Sequence, residues 1–214
     1  MIRIPGEFIE NFEILPGRTL RHGKHGKHVT CIFSRKNKCI RTCETLLETD
    51  LCLELERSLT IVSYQTQPFT LAVKRGKIKY TPDFSVLLKD GSTVIYEIKP
   101  DTALKDSVTM TRLLNLKIIF ATCGYLFEVI RESQFRHPIK TYNLQRLYHT
   151  SSDATLTSAK PTIDIVNTSN KALKVQDLLG RSQSASDIAF SVFYGHINAD
   201  LSLPFNSQTI LKPR

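Results

Sequence analysis

Asp83, Glu97 and Lys99 stand in the stretch from Tyr80 to Pro100, YTPDFSVLLKDGSTVIYEIKP, which otherwise reads as two apolar strands around an Asp90-Gly91 turn. Successive strand residues point to opposite faces, so Glu97 and Lys99 share one face while Val94, Tyr96 and Ile98 take the other. On the first strand Phe84, Val86 and Leu88 divide in the same way from Asp83 and Ser85. A two-residue loop would pair Asp83 with Ile98 and leave the two acids on opposite sides. A three-residue loop, Lys89-Asp90-Gly91 with Gly91 left-handed, pairs Leu88 with Ser92 and sets Asp83 opposite Glu97. That register also stacks the large apolar residues on one face, and it is the one expected.

Two carboxylates held side by side repel, and one is driven toward protonation unless a cation lies between them. Oxygen ligands of this kind suit Mg²⁺, with Mn²⁺ able to substitute, because these ions keep several waters and take one or two carboxylates. Lys99, beside such an ion, is placed to steady or deprotonate an attacking water, or to offset charge on a phosphate. The chemistry is metal-assisted hydrolysis of a phosphodiester. General-base help is worth roughly 10²–10⁴-fold, far below the roughly 10⁶–10¹⁷-fold that enzymes commonly supply, so the metal must lead. The alternative is an edge hairpin whose charges serve solubility.

The elements around the hairpin follow from periodicity. CETLLETDLCLELERSL, from Cys43, spaces Leu46, Leu47, Leu51, Leu53 and Leu55 close to helical period, with Glu44 and Glu48 one turn apart and Glu56 two turns beyond Glu48. IVSYQTQPF reads as a strand that ends before Pro68. Pro100 halts the hairpin, Asp101 can cap a helix reaching about Ala121, Gly124 ends it, and YLFEVI is a further strand. Helices flanking a mixed sheet give an α/β core. The polar run HTSSDATLTSAKPT reads as a linker, dividing the chain into residues 1–149 and 150–214. Beyond it, a helix from a Ser169 cap to Gly180, a helix from a Ser184 cap to Gly195 and short extended pieces resemble a helix-turn-helix with a wing.

The net charge of +9 is unevenly placed. Eight Lys or Arg and no acid lie between Ile14 and Cys43, and residues 61–150 hold 13 basic against 7 acidic, whereas residues 151–214 hold 6 and 5. The first 150 residues thus suit a polyanion, whose released counterions drive association. Arg18, Arg21, Lys24, Lys27, Arg35, Lys36 and Lys38 are expected on an extended arm that contacts phosphates. His22, His25 and His28 repeat every third residue in that arm, but the Gly and Lys between them supply no rigid metal scaffold. No apolar run is long enough to span a bilayer, the N-terminal residues carry no signal core, and five cysteines without a C-x-x-C pair read as reduced. A soluble protein of a reducing cytoplasm is expected.

TPDF and YEIKP together are similar to the P-D…(D/E)-x-K signature of restriction-endonuclease-like nucleases. With the Glu-bearing helix ahead of them, Gln67-Pro68, and NLQRLY before the polar run, residues from about Arg18 to Tyr148 resemble TnsA, the endonuclease subunit of heteromeric transposases. The resemblance implies that Glu48 completes a Mg²⁺ site with Asp83 and Glu97, with Lys99 as the last catalytic residue and Glu44 as an alternative to Glu48. Some family members have an amide where Glu97 stands. Gln67 either approaches the site or bonds within the sheet. The family role is to hydrolyse the 5′ strand at each end of a mobile element in double-stranded DNA, beside an integrase-type transposase and a regulatory ATPase.

Two further readings compete with that one: a free-standing restriction- or resolvase-like nuclease, and a non-catalytic DNA-binding regulator. The complete set Glu48, Asp83, Glu97 and Lys99 speaks against a degenerate scaffold. In the C-terminal unit, Ser184 to Tyr194 has no Lys or Arg and shows Ile188, Phe190, Val192, Phe193 and Tyr194. A groove-reading helix needs basic residues, so this unit is expected to dock on a partner protein, its apolar residues exceeding what one helix face can bury.

Overall fold

The computed structural model of the chain describes residues 12–17, 29–73 and 78–214. They divide into two compact units, one comprising residues up to 52 and 60–134, the other residues 53–59 and 135–214.

The first unit is built on a four-stranded mixed sheet. Its strands are β4 (Ile61–Thr66), β7 (Phe84–Leu88), β8 (Thr93–Lys99) and β9 (Leu126–Arg131), in the order β4-β7-β8-β9. The first two pairings are antiparallel and β8–β9 is parallel. A parallel neighbour requires a crossover, and the crossover is α2 (Ser107–Thr122). Asp106 caps α2 by accepting from Thr109 N at 2.8 Å, and Gly124, at φ +77°, turns the chain out of it. The cap expected at Asp101 thus falls five residues later. Asp101 instead accepts from the backbone N and the hydroxyl of Ser133, tying the β8 exit to the β9 exit.

Phe69 and Leu71 of β5 (Phe69–Val73), Tyr80 of β6 (Ile78–Tyr80), Ile95 of β8, Phe127 of β9 and Leu113, Leu116 and Phe120 of α2 form one buried cluster. The Phe120 and Phe127 rings stack at 5.2 Å. On the opposite face of the sheet Phe84, Val86 and Val94 are buried, with Tyr64 against Phe84 at 6.4 Å between ring centroids. Both faces of the hairpin are therefore apolar, whereas alternation alone assigned one to charge. Ile95 shares the acid-bearing face and is fully buried.

β5 pairs with both β6 and β1 (Phe12–Pro16) in a second sheet. A basic segment expected as an extended arm is in part a hairpin, β2 (Thr30–Ser34) and β3 (Cys39–Cys43) joined by residues 35–38. Lys36 donates to Ile61 O at 2.6 Å and so holds that turn to β4. Arg18, Arg21, Lys24 and Lys27, with His22, His25 and His28, lie outside the described residues.

α1 (Leu46–Arg57) contributes its residues through Cys52 to the first unit and the rest to the second. In the second unit, α4 (Pro138–Thr150), α5 (Leu156–Thr168) and α6 (Val175–Leu179) pack around α7 (Ala185–Phe193). Three short strands, β10 (Leu173–Lys174), β11 (Asn198–Ala199) and β12 (Ile210–Lys212), accompany them. The polar run after Tyr148 is no linker. Thr155 and Ser158 form a reciprocal capping box that starts α5 inside it, and the units part at residues 134 and 135 rather than 149 and 150.

The Ser184 cap and the Gly195 stop are present as expected, with Gly195 at φ +69°. The apolar residues between them have another destination than the one expected. Ile188, Phe190, Val192 and Phe193 are all buried, because α7 is the central helix of its unit and is covered on more than one face. Asn143, also buried, clamps the incoming loop by donating to Leu201 O and Leu203 O and accepting from Phe205 N, at 2.7–3.0 Å.

Candidate active site

The loop of the hairpin decides where the acids stand. Leu88 N donates to Ser92 O at 2.9 Å, Gly91 N donates to Leu88 O at 3.1 Å, and Gly91 sits at φ +85°. Phe84 pairs with Tyr96 and Leu87 with Thr93. Continued one step, that register places Asp83 across from Glu97, as the three-residue loop requires.

Asp83 is held at its backbone on one side and its carboxylate on the other. Gln67 N donates to Asp83 O at 2.8 Å, and Asp83 Oδ2 accepts from Ile98 N at 2.7 Å. Burial first, and then the charge of Glu97, push the Asp83 carboxyl up to about 7; Ile98 N–H and Lys99 pull the other way, and Glu48 adds a smaller upward push. Glu97 is engaged at both oxygens: Oε2 accepts from Tyr80 OH at 2.6 Å, and Oε1 accepts from Lys99 Nζ. Lys99 Nζ also reaches Ile98 O at 3.1 Å.

The helix acid is drawn in by its own N-terminus. Glu48 accepts from Glu44 N at 2.9 Å and from Thr45 Oγ1 at 3.0 Å, while Thr45 Oγ1 accepts from Glu48 N. Burial raises the Glu48 carboxyl above its ordinary range against those two hydrogen bonds, with smaller upward pushes from Glu44 and Glu97. Glu48, buried, thus feels the hairpin acids and is felt by Asp83. Glu44 is half-buried and acts on this group through Glu48.

Two residues beyond the predicted set belong to this geometry. Tyr80 is buried against Phe120 and Phe127, and the Arg112 guanidinium lies 5.9 Å from its ring centroid. Burial, then the neighbouring Glu97 charge, push its hydroxyl far above the ordinary tyrosine range, so it stays a donor to Glu97. Only its place just ahead of Thr81-Pro82-Asp83 hinted at this in sequence. Gln67 bonds within the sheet through its backbone; its side chain is considered below.

Of the three acids, Asp83 keeps an oxygen, Oδ1, that makes no hydrogen bond among the described residues. Among the described residues no three His, Cys, Asp or Glu side chains are close enough to hold an ion as they stand. The donor set still fits a hard divalent cation: it is all oxygen, Glu48 and Glu97 are buried with Asp83 half-buried beside them, and Lys99 brings one positive charge to two paired carboxylates.

Residues 58–132 match a family model described as TnsA-like endonuclease N terminal. The match spans β4 through β9 and contains Gln67, Asp83, Glu97 and Lys99, while Glu48 precedes it. No curated protein matches the chain. Residues 58–132, with their mixed sheet and paired hairpin acids, are thus similar to the N-terminal domain of the TnsA-like endonucleases.

Proposed function

We propose that this chain is the DNA-cutting subunit of a heteromeric transposase, hydrolysing the 5′ strand at the ends of a mobile element with Mg²⁺. The observation that carries the reading is the pairing of Asp83 with Glu97 across one hairpin, with Lys99 on Glu97 and the Asp83 carboxyl pushed up to about 7 by burial and then by the Glu97 charge. Asp83 and Glu97 would hold the ion, with Glu48 as the third acid. When bound, the ion supplies Lewis-acid polarisation of the phosphate and a more acidic water.

The chain's own residues do the rest. Ile98 N–H fixes the Asp83 carboxylate and Tyr80 fixes Glu97, so both acids are oriented before DNA arrives. With an ion held by the acids, the Lys99 ammonium, now on Glu97 Oε1, would offset charge on the phosphate or orient the attacking water. Arg18, Arg21, Lys24, Lys27, Arg35 and Lys38 contact phosphates without reading bases. Lys36 is committed to Ile61 O and contributes less. The second unit docks on the integrase-type transposase or the regulatory ATPase. With α7 buried, that role passes to its outer apolar residues, Leu156, Leu179, Leu203 and Ile210, all exposed.

The test is cleavage of a labelled duplex spanning the element's boundary, with Mg²⁺ and the products of the neighbouring genes. Asp83→Ala should lower the rate by roughly 10²–10³-fold or more while partner binding persists. Lys99→Ala should fall similarly and recover in part at high pH. Cutting by the Asp83→Ala protein at the wild-type rate would refute the assignment.

A further inference from the structure

Gln67 is the one residue of the site region whose conformation and side chain both cost free energy with no visible return. Its φ of +43° is left-handed, a region that a residue with a Cβ rarely enters. Its side chain is buried, at 7% exposure, and its Oε1 has no hydrogen-bond partner among the described residues. A buried amide oxygen left unpaired is the costly case for a polar group. Packing alone would be served by an apolar residue, and the backbone alone by glycine.

Its surroundings hold that conformation in place. Gln67 N donates to Asp83 O, and the pairing of Thr66 with Phe84 and of Phe84 with Tyr96 sets Gln67, Asp83 and Glu97 in one lateral row. From the other side, Gly17 comes so close that a Cβ there would lie 2.1 Å from Gln67 O. Pro68 follows immediately and closes β4.

We infer that Gln67 is a water-positioning residue of the nuclease site: its unpaired amide oxygen accepts a hydrogen bond from the water that attacks the phosphodiester, beside the Asp83–Glu97 pair. This rests on the nuclease reading. A carboxamide suits the place because its oxygen accepts without adding a third negative charge beside two paired carboxylates. Its strained backbone keeps the acceptor aligned before substrate binds, which is where orientation lowers a barrier.

Gln67→Met removes the acceptor and keeps the length of the side chain. Its cleavage rate should fall about 10²-fold, with the Mg²⁺ concentration for half-maximal rate and the calorimetric Mg²⁺ affinity unchanged. Because an unsatisfied buried oxygen is lost, its unfolding temperature should equal or exceed that of the wild type. Gln67→Glu retains an acceptor and should keep more activity than Gln67→Met, with its pH profile displaced upward by the added acid. If wild type cuts, Asp83→Ala does not, and Gln67→Met cuts like wild type, this inference alone falls. A Gln67→Met protein that unfolds at lower temperature and loses Mg²⁺ affinity in proportion shows a structural role and also overturns it. If wild type never cuts, the inference falls together with the nuclease reading.

Discussion

At the scale of single residues the site is a problem of excess negative charge. Asp83 titrates from 3.8 in an unfolded chain to about 7 in the fold, so the folded protein binds more protons between those values. Stability from this group is therefore full below about pH 4 and is lost as pH rises through 7. Thermal unfolding without divalent ions should show that decline, Asp83→Asn should flatten it, and Mg²⁺ should offset it at neutral pH. Tyr80 acts on the other acid. Tyr80→Phe removes the donor to Glu97 Oε2 while preserving the ring packing, and should raise the Mg²⁺ concentration for half-maximal cleavage roughly tenfold or more, from the about 1.5–3 kcal/mol of one hydrogen bond to a charged group. An unchanged Mg²⁺ dependence would show that Lys99 alone orients Glu97. Asp83, Glu97 and Lys99 were legible in sequence because strand alternation and loop length are local rules. Tyr80 was not, because its bond to Glu97 spans two sheets that no local pattern connects.

Secondary-structure elements position these residues by burying what the acids cannot. α2 covers the sheet face that carries Ile95 and Glu97, and Phe120 is its deepest anchor, touching Phe69, Tyr80 and Phe127. Phe120→Ala should destabilise the first unit by about 3–5 kcal/mol, read from chemical denaturation, and should loosen Tyr80 along with it. Asn143→Ala should cost about 1–3 kcal/mol by leaving the Leu201 and Leu203 carbonyls and Phe205 N–H unpaired. Sequence gave the strands, the stops at Gly124 and Gly195 and the cap at Ser184, all set by neighbouring residues. It misplaced the α2 cap because Asp101 and Asp106 both precede helix-forming residues, and only the Asp101 bonds to Ser133 separate them. It missed α5 because a Ser- and Thr-rich segment resembles a linker until Thr155 and Ser158 cap each other. A count of apolar residues in α7 could not say how many helices surround it.

At the scale of the whole molecule, a unit whose residues 58–132 match the TnsA-like endonuclease N-terminal model and a second, helix-rich unit share one chain, and the residues of α1 divide between them. No helix among the described residues is long and apolar enough to cross a membrane. Eight of the nine net positive charges lie in residues 1–150 and one in residues 151–214, so duplex affinity should fall steeply with salt and should reside in residues 1–150. The central claim is that Asp83 and Glu97 hold the ion that cuts one DNA strand. It is tested most directly by one gel, with the two strands of a boundary duplex labelled separately and incubated with Mg²⁺ and the neighbouring gene products. Wild type should nick the 5′ strand only and Asp83→Ala should leave it intact, with the 3′ strand processed in both. Equal 5′-strand cleavage by the two proteins, or cleavage undiminished by chelating Mg²⁺, would contradict the account.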